Sequence, residues 1–122
     1  MKLFLPIRKH FVLLHLNMEQ NEVIKHIKEV GERILPEGAS LWLYGSRARG
    51  DARPDSDYDL LILLDKDRVT SDDCSRYSYP LYYWGTGIGQ EVNAHIYTKQ
   101  DWQRWRLAPF NENVEREKVV LL

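Results

Sequence analysis

Residues 45–65 read GSRARGDARPDSDYDLLILLD, and the fold turns on this stretch. It opens with Gly45-Ser46 after the apolar run SLWLY at 40–44 and closes on LLILL at 60–64. A short apolar run bounded by turn residues is the pattern of a buried strand. Alternate residues of a strand share a face, so Asp57 and Asp59 project to one side and Tyr58 to the other. Two neighbouring carboxylates repel unless a cation lies between them, and a divalent metal bound through oxygen meets that need. Taken alone, a D-x-D pair is equally readable as two solvated acids at a strand edge.

The turn upstream of the acids shifts that balance. A strand over 40–44 runs into Gly45-Ser46, and RARG at 47–50 makes a short helix ended by Gly50. Free backbone N–H groups point outward at such a junction, and glycine lets a ligand approach the main chain. Ser46 adds a hydroxyl, and Arg47 and Arg49 are placed to neutralise phosphate charge. Standing alone, this would be an ordinary surface turn with solvated arginines. DARPDS at 51–56 is a turn by composition.

Towards the N-terminus, Val23, Ile24, Ile27, Val30 and Ile34 form one apolar stripe at helical spacing. The pattern predicts a helix over 18–35, capped by Asn21 and stopped by Pro36 and Gly38. His26 falls on the helix flank. Residues 1–17, MKLFLPIRKHFVLLHLN, read as an extension outside a domain spanning 18–122. Pro6, Arg8, Lys9 and His10 interrupt the apolar run, which makes a poor signal peptide and is too short and charged to span a bilayer.

Towards the C-terminus, 65–70 is a polar loop. Residues 71–84 read as an aromatic-rich helix or irregular segment over the sheet, with Ser71 as cap and Pro80 as an interruption. Its tyrosines are most economically core and rim, with stacking on a base as the other reading. Gly85–Gly89 reads as a glycine-rich turn. Residues 91–98 alternate as a strand, with Glu91, Asn93, His95 and Tyr97 on one face. Thr98 caps a helix containing Trp102 and Trp105 and ended by Pro109. Residues 111–118 make a helical turn or two, and 119–122 is an apolar tail that joins the sheet or covers the core.

The chain has 122 residues and a formal net charge of −1. That size fits one domain with a real core. The charge balance excludes a general nucleic-acid binder, and no stretch calls for a membrane. Cys74 is the sole cysteine. It excludes an intrachain disulfide and a Cys-based zinc site, and fits a reducing, cytoplasmic setting.

Gly45-Ser46, ten intervening residues and Asp57-x-Asp59 resemble the signature of the nucleotidyltransferase superfamily that includes polymerase beta. The GSRARG form and the short length resemble the minimal nucleotidyltransferases of prokaryotes, many encoded beside a HEPN-domain partner as toxin–antitoxin pairs. The resemblance implies an α+β nucleotidyltransferase fold, a small mixed sheet flanked by helices. It implies transfer of a nucleoside monophosphate, AMP from ATP or the equivalent from another NTP, to an acceptor hydroxyl supplied in trans. Gly45, Ser46, Arg47 and Arg49 would bind the nucleotide. Asp57 and Asp59 would be catalytic and hold one or two Mg2+ ions, and a HEPN protein would be the partner.

The chain departs from that pattern in one place. The family's usual third carboxylate, counted back from Tyr97-Thr98, falls on Asn93. Glu91 is on the same face but two residues away, roughly 6.6–6.8 Å along a strand. Glu91 is the candidate substitute for that catalytic acid, its longer side chain compensating if the register shifts, and a solvated strand-end acid is its other reading. His95 shares the face and is either a base or a hydrogen-bonded sheet residue. The departure opens a second function: a binding module that keeps the nucleotide fold, turns over weakly or not at all, and neutralises its partner by occlusion.

Overall fold

The computed structural model describes residues 18–122, so the expected extension over 1–17 lies outside the described residues. In chain order the elements are helix α1 (Gln20–Ile34), strand β1 (Ser40–Tyr44), helix α2 (Ser46–Arg49), strand β2 (Tyr58–Leu64) and helix α3 (Ser71–Asp73). A π-helical turn (Cys74–Ser78) follows, then α4 (Tyr79–Gly87), β3 (Val92–Thr98), α5 (Lys99–Arg104), α6 (Pro109–Glu117) and β4 (Val119–Val120).

The strands form one mixed sheet in the order β3-β2-β1-β4. β1 is antiparallel to both β2 and β4, and β2 is parallel to β3. A parallel pair needs a long crossover, and the segment from α3 through α4 supplies it. The apolar tail does both things its composition allows: Val119 and Val120 pair with Leu43 and Trp42, while Leu121 and Leu122 pack on the core.

The alternation of β2 sorts its side chains between two cores. Tyr58, Leu60, Ile62 and Leu64 face α1 and the crossover, with Val23, Ile27, Leu81 and Val92. Leu61 and Leu63 face the opposite layer, with Trp42, Tyr44, Trp102 and Val114. LLILL is buried throughout because both sheet faces are covered. Asp59 falls on the second face, at the start of β2 opposite Tyr44.

Several boundaries differ from the sequence reading. Helix α1 is capped by Glu19 rather than Asn21, and the Glu19 carbonyl accepts from the N–H groups of Glu22 and Val23 at 3.0 and 3.1 Å. Thr70, not Ser71, caps the crossover: its hydroxyl accepts from the Asp73 N–H, and the Asp73 carboxylate accepts in return from the Thr70 N–H. Pro80 does not interrupt the helix. The π turn before it spaces the backbone bonds one residue wider, and Pro80 enters α4 at its first turn, where no donor is needed.

Gly85–Gly89 is likewise not wholly a turn. The helix runs to Gly87, and a Cβ on Gly85 would sit 2.5 Å from Val92 Cγ2, so glycine lets α4 press onto β3. Pro109 opens α6 instead of closing the helix before it, which stops at Arg104 with Trp105 as an exposed C-cap. Thr98 caps α5 as its sequence indicates, accepting from the Asp101 N–H at 2.9 Å.

Candidate active site at the end of β2

Gly45 leaves β1 with φ of 75° and ψ of −160°, a combination that penalises any L side chain. A Cβ there would meet Asp59 Oδ2 at 2.6 Å. Glycine is therefore required by the backbone turn, and a Cβ there would in addition push the Asp59 carboxylate out of its place. The antiparallel register sets this contact, since Tyr44 pairs with Asp59.

Arg47 and Arg49 have different surroundings. Arg47 is buried, and its guanidinium is engaged by the following loop and by helix α1. Nε and Nη2 donate to the Ser56 carbonyl at 3.2 and 2.9 Å, Nη2 also to the Pro54 carbonyl at 3.1 Å, and Nη1 to Gln20 Oε1 at 3.2 Å. The guanidinium lies 4.3 Å from the centre of the Tyr58 ring, a cation–π contact. Arg47 thus clamps the 51–57 loop and fixes where Asp57 begins. Arg49 is exposed and donates to Asp51 at 3.3 Å and Glu117 at 3.1 Å.

Asp57 and Asp59 both stand above the usual carboxylate pKa. For Asp57 burial is the main cause, followed by the hydrogen bond and negative charge of Glu91 and the charge of Asp59, with Arg47 opposing. For Asp59 burial again leads; His95 and Arg49 pull the value back, and Glu117 and Glu91 push it up. Asn93 is the in-register partner of Asp59. Its amide donates to Asp57 Oδ2 and Glu91 Oε2, each at 3.3 Å. Glu91 is thereby brought to the acid pair from just outside β3, where its carbonyl accepts the Tyr58 N–H at 2.9 Å.

Among the described residues, no group of three or more His, Cys, Asp or Glu side chains is gathered as a metal cage. Mg2+ does not require one: it is usually held by one or two carboxylates together with substrate phosphates and water. Asp57 and Asp59 offer that all-oxygen donor set in a locale with excess negative charge. The residues present fit the ion.

Glu117, which the sequence does not single out, comes to the turn from 72 positions away. Gly45 N–H donates to its Oε1 at 2.9 Å, and Arg49 holds its Oε2. No local motif marks it; only the pairing of β4 with β1 brings the end of α6 here. Tyr44 stands nearby, its phenol pushed up to about 12 by burial first and then by Asp59, Tyr97 and Glu117. Tyr44 and Phe110 meet edge to face at 5.6 Å, and Tyr97 flanks Phe110 at 6.5 Å, giving the site an aromatic wall.

Beyond Asn93 and His95 the surface opens into a groove of about 330 Å3, lined also by Ser78, Tyr79, Tyr82 and Tyr83. Tyr79, Tyr82 and Tyr83 are exposed rather than core. A second groove, of about 580 Å3, is bounded by α1 and Trp84 and includes His26, which pairs with Glu29 at 3.0 Å. It contains none of the residues above.

Residues 23–121 match the family model described as "Nucleotidyltransferase domain". Among solved structures, the chain is similar to a candidate nucleotidyltransferase from Sulfolobus solfataricus, with 23% identity over 83% of this chain and 80% of that one and a TM-score of 0.54. It is also similar to a chain of a toxin–antitoxin structure with AMP-PNP, at 16% identity, TM-score 0.53, covering 86% of this chain and 73% of that chain. At these identities the likeness is one of fold. No curated protein matches the chain.

Proposed function

The chain belongs to the nucleotidyltransferase domain family, and on that premise we propose that it transfers a nucleoside monophosphate, AMP from ATP, to a hydroxyl on a separate protein. The observation that carries this reading is the packing of Asp59 against the Cα of Gly45. It puts an acid pair and a phosphate-binding turn in one site, formed by the ends of adjacent strands.

Each residue then has a role. The Gly45 N–H, the Ser46 hydroxyl and the Arg49 guanidinium hold the β- and γ-phosphates. Arg47 acts at one remove, positioning the loop that carries Asp57. Asp57 and Asp59 would hold Mg2+, which when bound would neutralise phosphate charge and ease ionisation of the acceptor hydroxyl. The acceptor oxygen bonds to the α-phosphorus and passes its proton to the Glu91 carboxylate, the phosphorus–bridging-oxygen bond breaks, and pyrophosphate leaves. An in-line displacement sets nucleophile and leaving group on opposite sides. With phosphates over β1, the acceptor approaches over β3, where the tyrosine-lined groove lies. The chain holds reactants in place and supplies electrostatics.

The acceptor is taken to come in trans, as the resemblance to minimal nucleotidyltransferases implies, and the described residues form one small sheet domain. A HEPN-domain toxin is the proposed partner, and the fold likeness to the toxin–antitoxin chain favours that setting. A cytoplasmic location goes with it; no helix among the described residues is long and apolar enough to cross a membrane. The test is incubation with labelled ATP, Mg2+ and the adjacent gene's product. Label should pass to the partner, and its initial rate should fall by about 10²–10³ with Asp57→Asn or Asp59→Asn. No transfer, or transfer undiminished by both substitutions, would overturn the enzymatic reading.

Asn93 favours a second reading. A neutral amide stands in register with Asp59, where a third acid would complete the site. In this reading the domain neutralises its partner by covering it. A double Asp57→Asn/Asp59→Asn variant that still neutralises the partner would establish occlusion as sufficient.

A further inference from the structure

Glu117 occupies the donors that a nucleotide's phosphates need. Its carboxylate takes the Gly45 N–H through Oε1 at 2.9 Å and the Arg49 guanidinium through Oε2 at 3.1 Å. These two donors face one oxyanion, both within hydrogen-bond range. The carboxylate gains little from its other neighbours. Asp59 and Tyr44 are both pushed upward by its charge. The cations next to it in sequence are engaged elsewhere: Lys118 pairs with Glu115 and lies 3.7 Å from the Trp42 ring, and Arg116 bonds Asn113.

The side chain can also leave. Glu117 is the last residue of α6, and its side chain is 17% exposed. Rotation into solvent breaks no strand pairing, because β4 begins only at Val119.

We propose that Glu117 is a resident anion of the phosphate cradle, displaced by the nucleotide's polyphosphate and re-seated as pyrophosphate leaves. The inference rests on the nucleotidyltransferase reading given above. A bound polyphosphate brings more charge to Gly45 and Arg49 than one carboxylate, and Asp57 and Asp59 would hold the cation that accompanies it. Pyrophosphate has lost the bond to the transferred group, so Glu117 competes with it on better terms. The carboxylate therefore lowers affinity for both ligands and speeds product departure.

Titration calorimetry on the full chain tests this, using pyrophosphate and a non-hydrolysable ATP analogue, each with Mg2+. Glu117→Gln and Glu117→Ala should bind both ligands about tenfold more tightly than the unaltered chain. Glu117→Gln is isosteric and reads the effect of charge even if Glu117→Ala fails to fold. A merely structural Glu117, one that orients Gly45 and Arg49, would give weaker binding in both variants. Weaker or unchanged affinity overturns the proposal while leaving the nucleotide site in place. If neither the unaltered chain nor the variants bind nucleotide, the functional reading itself fails, and the role of Glu117 fails with it.

Discussion

Asp73 and Asp59 are the same residue type in opposite surroundings. At the start of the crossover, Asp73 is buried and amply paired. Lys66 Nζ donates to its two oxygens at 3.0 and 2.9 Å, and the Thr70 N–H and hydroxyl at 2.8 and 3.1 Å. Its pKa is lowered, chiefly by Lys66 and further by Thr70. At the start of β2, Asp59 packs against the bare Cα of Gly45 and feels the charges of Glu91 and Glu117, and its pKa is raised. The fold favours the ionised form of one carboxylate and disfavours that of the other, the contrast expected if Asp59 serves the proposed chemistry rather than the fold.

The largest test of that contrast is to neutralise the disfavoured pair. Asp57→Asn or Asp59→Asn should lower the transfer rate by about 10²–10³, the usual cost of removing one electrostatic element of a phosphoryl or acyl transfer site. In the same variants the melting temperature should hold or rise, because a mutually repelling acid has been removed. A matching fall in melting temperature would show that these acids support the fold and would collapse the contrast.

Next comes the paired acid. Asp73→Asn should cost about 1–3 kcal/mol, combining a lost capping box with a broken charge-assisted bond, and lower the melting temperature. Activity per folded molecule should be kept. The pH dependence follows from the direction of the shift. A carboxyl whose folded pKa is depressed contributes fully above its unfolded value and loses that contribution as pH falls through the folded one. The melting gap between the unaltered chain and Asp73→Asn should be complete at pH 7 and close below about pH 4. A gap independent of pH would mean that the charge is not its source.

Smaller effects sharpen the comparison from the other side. Asn93→Asp adds a third acid where the amide now bridges Asp57 and Glu91. In metal-free buffer it should destabilise by about 1 kcal/mol, and Mg2+ should restore the loss. A variant indifferent to Mg2+ would speak against metal at the pair. Arg49→Ala should change stability least, by under about 0.5 kcal/mol, since its ion pairs are exposed. Nucleotide affinity should nonetheless weaken measurably, and an unchanged affinity would remove Arg49 from the phosphate site.

The sheet was legible because its signals are local. LLILL, bounded by turn residues, reads as a buried strand in any context, and the Thr98 cap and Gly50 stop rest on chemistry within four residues. Boundaries slipped where a backbone device has no composition of its own. The π turn before Pro80 is written in ordinary polar and aromatic residues, so the proline reads as a break. In the site, the Asp57/Asp59 pair stood out because strand alternation puts both acids on one face, and resemblance to the nucleotidyltransferase signature joined the Gly45 turn to it. Arg47 and Glu117 did not resolve. Whether an arginine faces outward or clamps a loop depends on Gln20 and Ser56, and the Glu117 contact exists only once the sheet has brought α6 to the turn.

The close approach of Gly45 to Asp59 has a genetic consequence. Every amino acid that one nucleotide change can put in place of glycine carries a Cβ, and a Cβ at this site would lie 2.6 Å from the Asp59 carboxylate. No missense allele at codon 45 is conservative. In a random mutagenesis screen scored for activity, that codon should return only glycine among survivors. Many of the lost alleles should still yield folded protein in the cell extract, because the clash falls at the rim of the sheet and leaves both cores intact.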